Sequence, residues 1–310
     1  MSRVQILIPQ ASSSTRSPAH NVITARFYVL FAVLMVILVP AEFVLGSRAH
    51  LHRMGQQLID AWPALSLMGA CVFYVRWRPL PKIVDAAQIV LVSCLTFYVM
   101  GVLIHVAGRS PFGLADRQLA DLDSTLHFHT ASVVAQIARL RFLHLVLAIV
   151  YGTTGLMVIA AAIVPAVLGR AEYSYRFILT IIFAVIMTAL LFYRWPAVGP
   201  WTVEGFAPSL DQATVAAYLT RLRSDLPVMD MKSVAIVSFP SFHTVMAIAS
   251  ARALHCIRST RWFTWTLAAL ICASTITTGW HYGVDVLGGL AVALVSIAMA
   301  DRILRVPRAA

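Results

Sequence analysis

The chain has 310 residues, 60% of them hydrophobic and 12% charged, with 24 Lys and Arg against 13 Asp and Glu. Apolar runs near the ~20-residue span length recur along it, which excludes an ordinary soluble domain and points to a polytopic membrane protein. The net charge of +11 comes without a dense basic tract interleaved with aromatics. Nucleic-acid binding is therefore set aside, and the excess is read as positive loops.

Residues 1–24 are polar, with a Ser12-Ser13-Ser14 patch, and read as a disordered cytoplasmic tail. Phe27 to Leu45 is too long for a signal-peptide core and reads as a retained first span. The second span, about Leu58 to Tyr74, is short and carries Asp60 and Pro63; Pro79 and Pro81 break the chain after it. The third runs from about Ile83 to Val106. In the polar segment that follows, Leu114, Leu119, Leu122 and Leu126 approximate helical spacing with Asp116, Asp121 and Asp123 between them. That pattern predicts an interfacial helix lying at the membrane surface. His127 and His129 in the same segment read as interfacial histidines rather than metal ligands.

The fourth span is about Phe142 to Leu168 and the fifth about Phe177 to Tyr193. The fifth ends at Arg194-Trp195-Pro196-Ala197-Val198-Gly199-Pro200-Trp201, where two prolines and a glycine stop a helix. A polar loop from Thr202 to Val237 leads to spans six (about Pro240 to Cys256), seven (about Trp262 to Thr278) and eight (about Val284 to Ala300). Cys71, Cys94, Cys256 and Cys272 all fall in apolar segments and read as buried small hydrophobes. The expected fold is all-α, a polytopic transmembrane helical bundle of about eight spans. Its N-terminal membrane helices occupy 25–107, a membrane domain occupies 108–304, and residues 305–310 form a basic tail. Lys and Arg are denser in the tails and even-numbered loops, which predicts both termini inside. If the weak second span does not cross, the N-terminal tail changes sides.

Two polar islands interrupt the last spans. Ser238-Phe239-Pro240-Ser241-Phe242-His243-Thr244 opens span six, and Gly279-Trp280-His281-Tyr282-Gly283-Val284-Asp285 opens span eight. About two spans separate them, so both return to one face, the non-cytoplasmic one. Ionisable groups at span ends that face a bundle interior are functional candidates. Pro240 suits the first helical position, and the N–H groups after it favour an anion such as phosphate. Ser241 adds a hydroxyl donor, and His243 lies in the same first turn. His281 and Asp285, four apart, share a face if the helix starts by His281. The carboxylate then fixes the imidazole tautomer and leaves the other nitrogen free to attack. A structural His–Asp pair and a non-haem iron site are the alternatives. The second leaves the phosphate-suited helix end unexplained.

Pro240-Ser241-Phe242-His243 resembles the Pro-Ser-x-His motif of the type 2 phosphatidic acid phosphatase superfamily. Ser274-Thr275 followed by His281 and Asp285 is similar to its last motif, Ser-Arg-x5-His-x3-Asp, with Thr275 in the arginine position. Arg194-Trp195-Pro196 stands where the first motif, Lys-x6-Arg-Pro, belongs, without its lysine. Pro196 to Pro200 and the acidic segment from Asp116 to Phe128 resemble the inositol phosphorylceramide synthase branch, which is inositolphosphotransferase-like. The resemblance covers about residues 105–300 and implies a six-helix phosphatase-type core.

It also implies a metal-independent enzyme without a cofactor. His281 is the implied nucleophile, Asp285 orients it, and His243 is the acid and base. Ser241 binds phosphoryl oxygens. Arg194 is the best-placed replacement for the missing cations. Lys232 and Arg252 are weaker candidates, and Thr275 and Thr278 offer hydroxyl groups. The implied substrate is a lipid phosphate or phosphosphingolipid, and the acceptor is water or a polyol such as inositol. The rival reading is a catalytically inactive lipid-binding or transport protein of the same fold. The missing cations favour it, and the presence of both histidines and the aspartate opposes it.

Overall fold

The structure, a computed structural model, describes residues 18–48, 66, 69, 70, 73, 81–224 and 236–305. All regular elements among them are helical. Most of the expected second span, Lys232 and residues 1–17 lie outside the described residues.

The first helix, α1 (Pro18–Arg48), starts earlier than the expected span, inside the stretch read as a tail. Ile23, Phe27, Phe31 and Met35 recur every four residues and are buried, whereas Val29, Val33, Val36 and Ile37 are exposed. One stripe thus packs inward and the opposite apolar face suits lipid. The inward stripe meets α2 (Pro81–Gly108) and α7 (Ala171–Arg194). Phe27 stacks on Tyr175 at 4.7 Å between ring centroids.

Between α2 and α7 come α3 (Asp116–Thr125), α4 (Thr130–Arg139), α5 (Arg141–Gly152) and α6 (Thr154–Val167). The last two run almost end to end and together form the expected fourth span. The break falls at Thr153, where the hydroxyls of Thr153 and Thr154 donate to the carbonyls of Val150 and Tyr151. After α7 come a 3-10 turn at Pro200–Thr202 and then α8 (Leu210–Leu222), α9 (Phe242–Leu254), α10 (Arg261–Thr277) and α11 (Gly283–Ile303).

Among the described residues, five helical stretches are long and apolar enough to cross a membrane: His20–Ala41, Val84–Gly108, Arg141–Val167, Ala171–Arg194 and Gly283–Ile303. Expected spans six and seven are the shorter helices α9 and α10, of 13 and 17 residues. The result is a polytopic helical bundle centred on α7 and α9. Around this pair pack α2, α6, α10 and α11. Ala247, Ala249, Ser250, Ala251 and Ala253 of α9 are buried. Small side chains there let the neighbouring helices approach closely, as membrane packing requires.

The two ends of the bundle differ. At one end Asp301 of α11 binds Arg176 of α7 at 2.9 Å and Arg252 of α9 at 3.0 Å. Arg26 of α1 donates to the Arg305 carbonyl nearby. At the other end the C-termini of α2, α7 and α10 meet the N-termini of α9 and α11. The short helices α3, α4 and α8 gather over that end. Arg252 thus ends its helix at the far side of the bundle from His243.

Candidate active site

Both polar islands lie at the covered end, stitched by backbone. The Ser241 N–H donates to the Asp285 carbonyl at 2.9 Å. Gly289 lets α11 come this close: a Cβ there would stand 2.4 Å from the Ser241 carbonyl oxygen. The local start of α9 differs from expectation. Pro240 does not open α9; it precedes the N-cap residue Ser241, in a cis bond with Phe239. The helix α11 starts at Gly283, beside the expected Val284, so His281 precedes it and the shared helix face required of a start by His281 does not form. His281 and Asp285 meet through capping instead of along a helix face. Asp285, the third residue of the helix, reaches back to the N-cap N–H of Tyr282 at 3.0 Å and to His281 Nδ1 at 3.2 Å.

His281 is 2% exposed and Asp285 fully buried. His281 Nδ1 also lies 2.9 Å from the Ser238 carbonyl oxygen. A carbonyl only accepts, so the Nδ1 position carries the proton and Nε2 keeps its lone pair. Burial pushes the imidazole down to about 4, so the ring is neutral near pH 7. Asp285 Oδ2 further accepts from the Ser238 hydroxyl at 2.9 Å. Ser238 therefore supports both members of the pair, once with its backbone and once with its side chain.

His243 stands across from His281, with ring centroids 5.9 Å apart. It stacks on Tyr151 at 4.4 Å, with the phenol oxygen 3.4 Å from Nδ1. Tyr151 in turn lies parallel to Trp280 at 6.2 Å, and Trp280 meets Trp201 edge-on at 5.7 Å. Both histidines line a small void of about 10 Å³ with Tyr151, Ser238, Trp280 and Val198. That is room for about one water in the closed site. Ser241 Oγ accepts from the Thr244 N–H and hydroxyl at 3.4 and 3.2 Å, so its own proton remains to be donated. Phe242 and His243 N–H groups precede any intrahelical acceptor, at the positive end of α9.

The N-terminus of α11 is closed by contrast. Asp123 accepts from the Gly283 and Val284 N–H groups, each at 2.7 Å. Asp116 likewise accepts from Val198 and Gly199 N–H at 2.8 to 3.1 Å and from the Tyr282 hydroxyl at 3.3 Å. Burial raises the Asp116 carboxyl, and these donors oppose the shift. The expected interfacial helix is α3, and its inner face carries two carboxylates. Asp116, Leu119 and Asp123 are buried, and Leu114, Leu122 and Leu126 are exposed. Loop N–H groups on the inner side need acceptors, and two carboxylates about two turns apart on the same helix face supply them.

The remaining expected residues are dispersed. Thr275 donates its hydroxyl to the Cys272 carbonyl, and its own carbonyl accepts from Trp280 and His281 N–H. It shapes the turn before His281. The Thr278 hydroxyl is spent on Ser274. Arg194 is exposed, over the rings of Phe112 at 4.8 Å and Trp195 at 5.2 Å. Among the described residues no Lys or Arg hydrogen-bonds to His243, His281 or Ser241, and no group of three or more His, Cys, Asp or Glu is arranged to hold a metal ion. Ser238, Tyr151 and the inward role of Asp116 and Asp123 were not expected. Tyr151 had a signal, because Tyr151-Gly152-Thr153-Thr154 is a polar break inside an apolar span.

A membrane bundle with paired histidines at one end, one of them held by a buried carboxylate, defines a class before any comparison. A family model described as the PAP2 superfamily matches residues 117–299. The chain belongs to this superfamily of phosphatase-type enzymes; it is an integral membrane protein, and its function is of the lipid-phosphatase type. Searches of curated proteins and of solved structures return no match.

Proposed function

We propose that the protein transfers a phosphoryl group from a lipid phosphate through His281. Nε2 attacks phosphorus, the N–P bond forms, and the bond to the lipid oxygen breaks. His243 gives that oxygen its proton. His243 then takes a proton from the acceptor, whose oxygen displaces His281 and restores the free ring. Asp285 and the Ser238 carbonyl hold the Nδ1 proton and stabilise the charge that the ring acquires. The α9 amides and Ser241 receive the phosphoryl oxygens. Arg194 and Lys232 are the cations we assign to the approach of the anionic head group. Water as acceptor gives a phosphatase. A polyol such as inositol gives a phosphotransferase, in keeping with the resemblance of Pro196 to Pro200.

The observation that carries this reading is the placement of His281 Nδ1 against two acceptors, 2.9 Å from the Ser238 carbonyl oxygen and 3.2 Å from Asp285 Oδ2. Two acceptors fix its proton on Nδ1, and the site is shared with a second histidine. The greater density of Lys and Arg in the tails and even-numbered loops supports a site on the non-cytoplasmic side.

The test uses purified protein with labelled lipid phosphates and phosphodiesters, with and without myo-inositol, in chelator throughout. Turnover that survives chelator and is lost in His281→Ala supports the reading, and the product separates water from polyol. Equal lipid binding by both proteins with no turnover supports the rival, an inactive lipid-binding relative. The absence of a bonded cation among the described site residues favours that rival.

A further inference from the structure

A second cavity, of about 380 Å³, lies between α2, α7 and α9. This is within the ~300–1,000 Å³ range of small-molecule pockets. Its walls are apolar, with Met100, Ile104, Val185 and Met246 among them, and His243 is at its margin. His243 also lines the small void beside His281, so the cavity adjoins the candidate site on the side of the bundle, where a lipid chain would follow its phosphate. One wall residue does not suit a plain hydrocarbon chain. His105 lines the cavity and is 5% exposed.

The ring of His105 is fixed. Nδ1 lies 2.7 Å from the Gly101 carbonyl of its own helix, and the ring meets Tyr218 edge-on at 5.6 Å. The carbonyl can only accept, so Nδ1 is the donor. A ring with a single proton then presents a bare lone pair at Nε2. That nitrogen is buried and has no hydrogen-bond partner among the described residues. A buried acceptor left unpaired costs stability, and the cost is recovered when a ligand brings the donor. His105 is in the last turn of α2 and His243 in the first turn of α9, so the donor belongs close behind the phosphate.

We infer that this cavity takes the chain of a lipid phosphate that carries a hydrogen-bond donor, a hydroxyl or amide N–H, within its first few carbons, and that His105 Nε2 accepts from it. An ester-linked chain offers only acceptors and leaves Nε2 unpaired. This rests on the phosphoryl-transfer reading only in placing the phosphate beside His243.

Equilibrium binding tests it without requiring turnover. The probes are hexadecyl phosphate, a panel of hexadecyl phosphates with one hydroxyl moved along the first carbons, and the methyl ether of the tightest binder. Wild-type protein should bind one hydroxylated probe about tenfold more tightly than the unsubstituted one. The ether should lose that preference, because it keeps the oxygen and lacks the donor. His105→Leu should bind all three alike, and His105→Gln, which retains an acceptor, should keep part of the preference. Equal binding of every hydroxylated probe and hexadecyl phosphate by the wild type overturns the inference. Absent turnover with the preference intact overturns only the catalytic reading.

Discussion

Asp123 sets the helix that carries Asp285. Its two oxygens accept from the N–H groups of Gly283 and Val284, the first two residues of α11, each at 2.7 Å. Asp285 is the third residue of that helix and reaches back to Tyr282 and His281. A carboxylate on a short covering helix thus fixes the start of the helix that orients the candidate nucleophile.

Removing that carboxylate should uncap α11 and loosen the His281–Asp285 contact together. Asp123→Ala is expected to lower stability by about 2 kcal/mol, since two buried N–H groups lose their acceptor. Turnover should fall more steeply than stability accounts for. Asp123→Asn keeps one acceptor oxygen and should recover part of both. Thermal unfolding in detergent alongside turnover measures the two effects. Loss of stability in Asp123→Ala with normal turnover in the folded fraction would show that the cap does not serve the site.

The histidines and Asp285 were legible in the sequence because polar groups stand out within apolar spans, and the chain returns to the same end after two spans. The capping network was not. Asp116 and Asp123 lie among leucines whose approximate spacing predicts a surface helix, and nothing in that spacing shows that the loop N–H groups at 198–199 and 283–284 take the two carboxylates as acceptors. The decisive contact on His281 Nδ1 comes from the Ser238 backbone carbonyl, which no residue type announces. The way His281 meets Asp285 was hidden for a related reason: a spacing of four suggests a shared helix face, and the contact instead arises from a cap.

The acidity of His281 has a consequence for pH dependence. Burial lowers its pKa from 6.5 to about 4, so the unfolded chain binds its proton first as pH falls. Stability from this group is complete above about 6.5 and declines as pH drops towards 4. The proposed attack by Nε2 needs the neutral ring, so the acid limb of kcat/KM assigned to His281 should lie below pH 5. A pH profile on a lipid phosphate whose own ionisation is measured separately checks this. An acid limb at 6.5 that belongs to His281 would mean that the ring is open to water in the working enzyme.

Gly289 tests the close contact between α11 and the N-terminus of α9. An added Cβ would sit 2.4 Å from the Ser241 carbonyl oxygen and 3.0 Å from the Thr244 Cβ. The first of these is backbone and cannot rotate away. Gly289→Ala should therefore displace α9, cost about 1–3 kcal/mol, and reduce turnover by separating His243 from His281. Gly155→Ala on α6, where a Cβ meets nothing within 4 Å, is the matched control and should leave both stability and turnover unchanged. Thermal unfolding and single-turnover rates of the two variants, compared side by side, decide the point. Equal behaviour would mean that the α9–α11 contact is looser in solution.

Arg194 distinguishes a cation that steers the head group from one that stabilises the transition state. It is exposed and rests on the faces of Phe112 and Trp195. A guanidinium held there is worth about 0.5–1 kcal/mol to the fold. From an exposed rim it should attract an anionic head group without following the charge that develops on phosphorus. Arg194→Ala is expected to raise KM about three- to tenfold and leave kcat within about twofold, because an interaction equal in the ground and transition states changes only binding. The effect should shrink at high salt, as screening removes the attraction of an exposed charge. A hundredfold loss of kcat at unchanged KM would instead place Arg194 on the reacting phosphoryl group, in the role left open by Thr275 at the family's arginine position.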